Sequence, residues 1–229
     1  MFFDPLYFVF LAPALLLAFV AQIMVRSAYA TGNTVAARMS GYSAARQVLD
    51  AEGLYTVEIE QVPGHLSDHY DPQAKVLRLS PEVYHGQTAS AVGIAAHEAG
   101  HAIQDAHNYA PLMIRNAAVP IAGFGSGFGL VLLMVGIGFG FTLLAWVGVA
   151  LFAAVAFFQI VNLPVEFNAS TRAKLALANL GIIDQQEMYY VKKVLNAAAL
   201  TYVAATLQSV LTVLYYLFRL GAFSSSRDD

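Results

Sequence analysis

Residues 95–107 read AAHEAGHAIQDAH, and within them His97, Glu98 and His101 have the spacing HExxH. On a helix, residues four apart lie one turn apart on one face, so two imidazoles can reach a single zinc ion at about 2.0–2.1 Å each. Glu98 projects about a quarter turn away. From there it is no ligand, but it can take a proton from a metal-bound water whose acidity the metal raises. A third ligand has to come from elsewhere. His107 stands at the spacing of the longer pattern HExxHxxGxxH, but Gln104 replaces the Gly of that pattern, and Gln is a good helix former. If the helix continues, His107 points away from the face of His101. The other solution is a carboxylate on a second helix, and Glu166 in LPVEFNASTRAKLAL is the first of that kind after the apolar spans. Glu166 is the favoured third ligand and His107 the alternative. Each also has an ordinary reading: histidines on a capped surface helix, and a carboxylate favoured by the dipole at a helix N-terminus.

The rest of the chain must position these groups, and its composition says in what medium. With 58% hydrophobic and 12% charged residues among 229, and a mean hydropathy of +0.59, it is too apolar for an ordinary soluble domain and reads as a membrane protein. A net charge of -3 gives no electrostatic support to nucleic-acid binding. The absence of cysteine excludes disulfides and thiolate sites, and leaves a metal to His and carboxylate ligands.

A bilayer span needs roughly 20 apolar residues, and four stretches qualify. The first is Leu6 to Val25, interrupted only by Pro13. Its flank carries Asp4 rather than Lys or Arg, so it is expected to be retained and not cleaved as a signal peptide. Residues 116–165 carry no charge, twice what one helix needs, and read as two spans, 117–139 and 141–163, joined near Gly140. The fourth lies within 194–218. These spans put residues 26–116 and 164–193 on one side and both termini on the other, with a tail at 219–229. The first side holds ten of the twelve Lys and Arg, which predicts that it faces the cytoplasm and that both termini lie outside.

The segment before the motif reads as a small α+β unit. A helix is predicted over 43–52, capped by Ser40 or Ser43 and stopped at Gly53. Alternation in YTVEIEQV, 55–62, and KVLRLS, 75–80, predicts two strands around a turn-rich loop. Thr88 or Ser90 can cap the motif helix, which is expected to run to about His107. Pro164 is expected to break the chain at the end of the third span, so that Glu166 opens a new helix.

The stretch DHYDPQAKVLRLSPEVYHGQTASAVGIAAHEAGHAIQ, followed after two spans by PVEFNASTRAKLAL, resembles the YugP-type family of bacterial membrane neutral zinc metallopeptidases, related in plan to the HtpX-like membrane proteases. The likeness runs from Asp68 to Leu177. It implies that His97, His101 and Glu166 bind one zinc ion, that Glu98 is the catalytic base, and that the protein sits in the bacterial inner membrane. The expected fold is a mainly α membrane protein with about four transmembrane helices and a small cytoplasmic α+β, zincin-like region carrying HExxH on a helix. Many metallopeptidases with a Glu third ligand carry an Asp four residues later to orient a histidine. Here Ser170 stands there, Asn168 has no assigned role, and Asp105 could supply an orienting carboxylate.

The expected function is zinc-dependent endopeptidase action on membrane or membrane-proximal proteins, with Glu98 moving the proton. A second donor for the developing oxyanion could be Tyr70, His69, Tyr189 or Arg172. Val76, Leu77, Arg78 and Leu79 could form an edge strand that pairs with an extended peptide. The expected partners are protein or peptide substrates and the lipid bilayer. A homo-oligomer or a membrane-protein partner is compatible with the pattern, which identifies neither. A zinc-bound scaffold or adaptor without proteolytic activity is the alternative, against which Glu98 speaks. A transporter is disfavoured because the spans hold no ionisable side chain. His65, Asp68, His69 and Asp71 are expected to form a solvated loop rather than a second metal site. The Gly123–Gly129 stretch is expected to serve close helix packing rather than phosphate binding, and His85 is read as an ordinary surface residue.

Overall fold

The computed structural model describes residues 4–221. The expected tail thus lies, from residue 222 onward, outside the described residues. The described residues are mainly helical with one small sheet, and four of their helical runs are long and apolar enough to cross a membrane: Pro5–Asn33, Ala110–Phe139, Thr142–Asn179 and Gln185–Arg219. This is the architecture of a multi-pass membrane protein. The chain divides into two units.

The first unit consists of residues up to Val20, Ile114–Leu163 and the residues from Thr201. It holds the early part of α1 (Pro5–Asn33), α5 (Ala110–Phe124), a π-helical turn (Gly125–Gly129), α6 (Leu130–Phe139), the first half of α7 (Thr142–Asn179) and the end of α8 (Gln185–Arg219). Gly140 closes α6 in the left-handed region at φ +75°, which a glycine adopts without steric cost. Large apolar side chains such as Val9, Leu16, Phe19 and Leu143 are exposed, as a lipid-facing surface requires. In the glycine-rich stretch, a Cβ on Gly125 would lie 2.5 Å from the Leu151 carbonyl oxygen, so backbone meets backbone there.

The second unit consists of Ala21–Met113 and Pro164–Leu200. Its helix α2 (Gly41–Ala51) starts at Ser40, whose hydroxyl accepts from the Ser43 N–H. Predicted strand 55–62 shortens to β1 (Glu58–Gln61). The physical reason is Arg46, which donates to the Leu54 and Val57 carbonyls and holds the chain before β1 out of the ladder. The loop after β1 contains a strand that alternation did not reveal, β2 (His69–Asp71). β3 (Val76–Leu79) therefore has two neighbours, in the order β1-β3-β2, parallel to β1 and antiparallel to β2. This corrects the expectation of a substrate-binding edge: Val76, Leu77 and Arg78 are paired on both sides, Leu79 is paired with Gln61 of β1, and Leu77 and Leu79 are fully buried.

After the short α3 (Pro81–His85), Thr88 caps α4 (Ala89–Ala106) by accepting from the Ala91 N–H, while Ser90 instead donates to the Tyr29 carbonyl. The core gathers Ala44, Val48 and Leu49 of α2, Leu77 and Leu79 of β3, Val92, Ala96 and Ile103 of α4, and Ala173 and Leu177 of α7. The expected break at Pro164 is absent, and α7 runs through it. Proline inside a helix costs about 3 kcal/mol, but Val165, Ala169, Ala173 and Leu177 follow at intervals of four and are fully buried. That packed stripe outweighs the lost hydrogen bond, so Glu166 lies mid-helix and not at an N-terminus. At the start of α8, Asp184 and Glu187 form a reciprocal capping box.

Candidate metal centre

Alanine dominates the α4 sequence, and small side chains let another helix come close. At Gly100 the approach is tightest: a Cβ would lie 2.7 Å from the carbonyl oxygen of Ala169 on α7. The middle residue of AGH is therefore where two backbones touch, and on either side of it stand His97 and His101, facing Glu166. The candidate ligand atoms of these three residues all lie within 4.8 Å of one another. Glu166 Oε2 is 3.3 Å from His97 Nε2 and 3.7 Å from His101 Nε2.

Glu166 is 3% exposed, and its Oε2 has no hydrogen-bond partner. A buried carboxylate oxygen left without a donor is costly, unless a cation completes it. Two imidazole nitrogens and a carboxylate oxygen form a donor set that zinc accepts, with room for an open coordination position. The residues present therefore fit a zinc ion held by His97, His101 and Glu166. Glu98 is half-buried and stands outside this group of three.

The far side of each imidazole is also engaged. Ser170 Oγ lies 3.1 Å from His97 Nδ1, and Gln104 Oε1 lies 3.0 Å from His101 Nδ1. Gln104 is completely buried and went unnoticed in the sequence except as a replacement for glycine. Its signal was a large polar residue one turn after His101 on a helix otherwise packed with alanine. Asn168 accepts from both Gln104 and Arg172.

Asp105 does not orient a histidine, which corrects that expectation. It accepts from the Tyr70 hydroxyl at 2.7 Å and pairs with Lys75 at 2.5 Å, because α4 turns it toward β2. Burial, and then the Asp105 carboxylate, push the Tyr70 hydroxyl above its ordinary ionisation range. Of the four oxyanion candidates, Tyr70 and Arg172 thus already donate to Asp105 and Asn168. His69 is exposed beside the Ser67 carbonyl, and Tyr189 is exposed with Lys193 over its ring. His107 caps the C-terminus of α4 between Arg172 and Glu52, outside the group of three candidate ligands.

The loop cluster disperses as well. His65 meets Glu82 and Asp68 accepts from Ser80. Asp71 accepts from Arg78 and from the Gln73 and Ala74 N–H groups, which together draw its carboxyl down to about 2. Among the described residues, His97, His101 and Glu166 are the one group placed to hold a metal ion.

Comparison with known proteins agrees with this geometry. The family described as "Putative neutral zinc metallopeptidase" matches residues 7–221. The "Putative membrane protease YugP" of Bacillus subtilis (strain 168) is 43% identical over 225 residues, 97% of this chain and 99% of the relative. No solved structure matches.

Proposed function

Because the chain belongs to this family of neutral zinc metallopeptidases, we propose that it is a membrane-embedded endopeptidase that hydrolyses peptide bonds of membrane or membrane-proximal proteins. The observation that carries this reading is the convergence of His97, His101 and the unpartnered, buried Glu166 oxygen. Zinc held there would supply Lewis acidity, polarising a carbonyl and making a water a better nucleophile near neutral pH. Glu98, one residue from His97 and outside the ligand group, takes the proton that the attacking water loses and returns it to the leaving amine. His97 and His101 are held by Ser170 and Gln104, so their rings do not have to be ordered when substrate arrives. The concentration of Lys and Arg in 26–116 and 164–193 supports a cytoplasmic catalytic side and external termini in the bacterial inner membrane.

The test uses Glu98→Gln. Cleavage of an unfolded, membrane-inserted protein should fall about 10²–10⁴-fold, with zinc per chain unchanged. A wild-type protein that binds zinc but cleaves neither unfolded nor membrane-inserted substrates would instead establish the scaffold reading. Zinc content read beside it in Glu166→Ala and His107→Ala should be lost only in the first; loss only in the second would transfer the third ligand to His107.

A further inference from the structure

We infer that Gln104 is a positioning residue that sets the tautomer of His101, and that the setting is dictated by two groups whose hydrogen-bonding roles cannot change. This inference rests on the zinc-peptidase reading for its purpose but not for its geometry. An amide side chain can be turned end for end, so its orientation has to come from its neighbours. The carbonyl of Val165, an obligate acceptor, lies 2.8 Å from Gln104 Nε2 in a buried contact. Arg172 Nε, an obligate donor, lies 2.8 Å from Asn168 Oδ1. Asn168 must therefore present its oxygen, and that oxygen is 3.0 Å from the same Gln104 Nε2. Both constraints require the amide nitrogen of Gln104 to face α7.

Its oxygen is thereby turned toward His101 Nδ1 at 3.0 Å. Only an Nδ1–H can satisfy it, so the proton of neutral His101 sits on Nδ1 and the lone pair on Nε2. Nε2 is the atom 3.7 Å from Glu166 Oε2. One buried amide thus presents the free nitrogen of His101 to the metal position and ties the motif helix to the backbone one residue before the third ligand. His97 lacks such a device: its neighbour Ser170 is a hydroxyl, which can donate or accept. The two ligating histidines are consequently unequal, one with a dictated tautomer and one with an adaptable one.

Two substitutions separate positioning from mere filling of space. Both lose the amide donor to Val165 and Asn168; Gln104→Met keeps the volume and also removes the acceptor, whereas Gln104→Glu keeps an oxygen facing His101 Nδ1 but brings an acid into a buried site. Purified full-length variants are titrated with zinc alone, and their thermal unfolding is followed separately. Gln104→Met should weaken zinc binding about 10–100-fold and Gln104→Glu less than about 10-fold, while unfolding temperature falls further in Gln104→Glu. Zinc binding weakened as much by Glu as by Met would overturn the inference, since loss would then follow stability and not the acceptor.

A second measurement needs neither variant to fold and no zinc. The ¹⁵N shifts of His101 in metal-free wild-type protein, assigned by the signal lost in His101→Asn, are read at alkaline pH where imidazole is neutral. They should report the Nδ1–H form. The Nε2–H form, or an even mixture, would sink the inference whatever the metal affinity. If wild-type protein bound no zinc, the peptidase reading would fail, and the tautomer would still decide the role of Gln104.

Discussion

In the unit of residues 21–113 and 164–200, Arg46 closes on Asp50 and two backbone carbonyls, Arg78 bridges Asp71 and Glu60, and Gln104 links His101 to α7. In the other unit the stretch 116–163 has no charge to use, and backbones meet through glycines such as Gly125 against Leu151 and Gly136 against Ala145. The proposed placement of the two units, one in water and one in lipid, accounts for the difference. Where water is present, burying a core stabilises a fold and polar groups can be aimed one by one. Within lipid, apolar burial drives little association, so close contact of small residues and satisfied helical backbones do most of the specifying. A metal site that needs three side chains held to fractions of an ångström belongs in the first kind of unit, and His97, His101 and Glu166 are there.

The sharpest way to probe the contrast is to cut equal volumes from each unit. Leu77→Ala should destabilise the unit of His97, His101 and Glu166 by about 2–5 kcal/mol, because Leu77 is fully buried; Leu143→Ala, at an exposed position of α7 in the other unit, should shift unfolding by less than about 0.5 kcal/mol. Chemical unfolding in detergent reads both, and equal effects would dissolve the contrast.

Next in size come two glycines. Gly100→Ala forces a Cβ against the Ala169 carbonyl and should cost about 1–3 kcal/mol, with weaker zinc binding because α4 and α7 carry the candidate ligands. Gly123→Ala meets nothing within 4 Å and should be neutral or gain up to about 1 kcal/mol in helix propensity. Undiminished zinc affinity in Gly100→Ala would show that the close approach is not what positions the histidines.

The smallest expected effect is electrostatic. Asp71 is drawn from the ordinary 3.8 to about 2 by the Ala74 N–H, the Arg78 guanidinium and the Gln73 N–H. A carboxyl depressed in the folded state contributes stability that is complete above about pH 4 and is lost as pH falls toward 2. Thermal unfolding of wild type and Asp71→Asn should therefore differ most above pH 4 and converge near pH 2. Parallel curves across that window would show that the depressed Asp71 carboxyl contributes no pH-dependent stability.

Much of this was legible in order of how local the cause is. HExxH is a statement about one helix face, and the spans follow from length and apolarity alone. The caps at Ser40 and Thr88 were among the candidates because a short oxygen-bearing side chain before an apolar run has few other uses. The strands were less legible. β2 is three residues with no alternation to detect, and without it β3 reads as an edge, although it is the centre of the sheet. Pro164 misled for a related reason: its local penalty is visible in the sequence, whereas the buried stripe that outweighs it is a property of the packed α7.

The sequence by itself determined the medium, the donor types and the pair of histidines, because composition, the absence of cysteine and a spacing of four act within one segment. Tertiary structure alone decided the company those histidines keep. It brought Glu166 across 65 residues to His101, turned His107 and Asp105 to other partners, and gave the His101 Nδ1–H to Gln104. Such choices depend on which backbones come close, as at Gly100 and Ala169, and pairwise approach between distant segments leaves no periodic mark on either one.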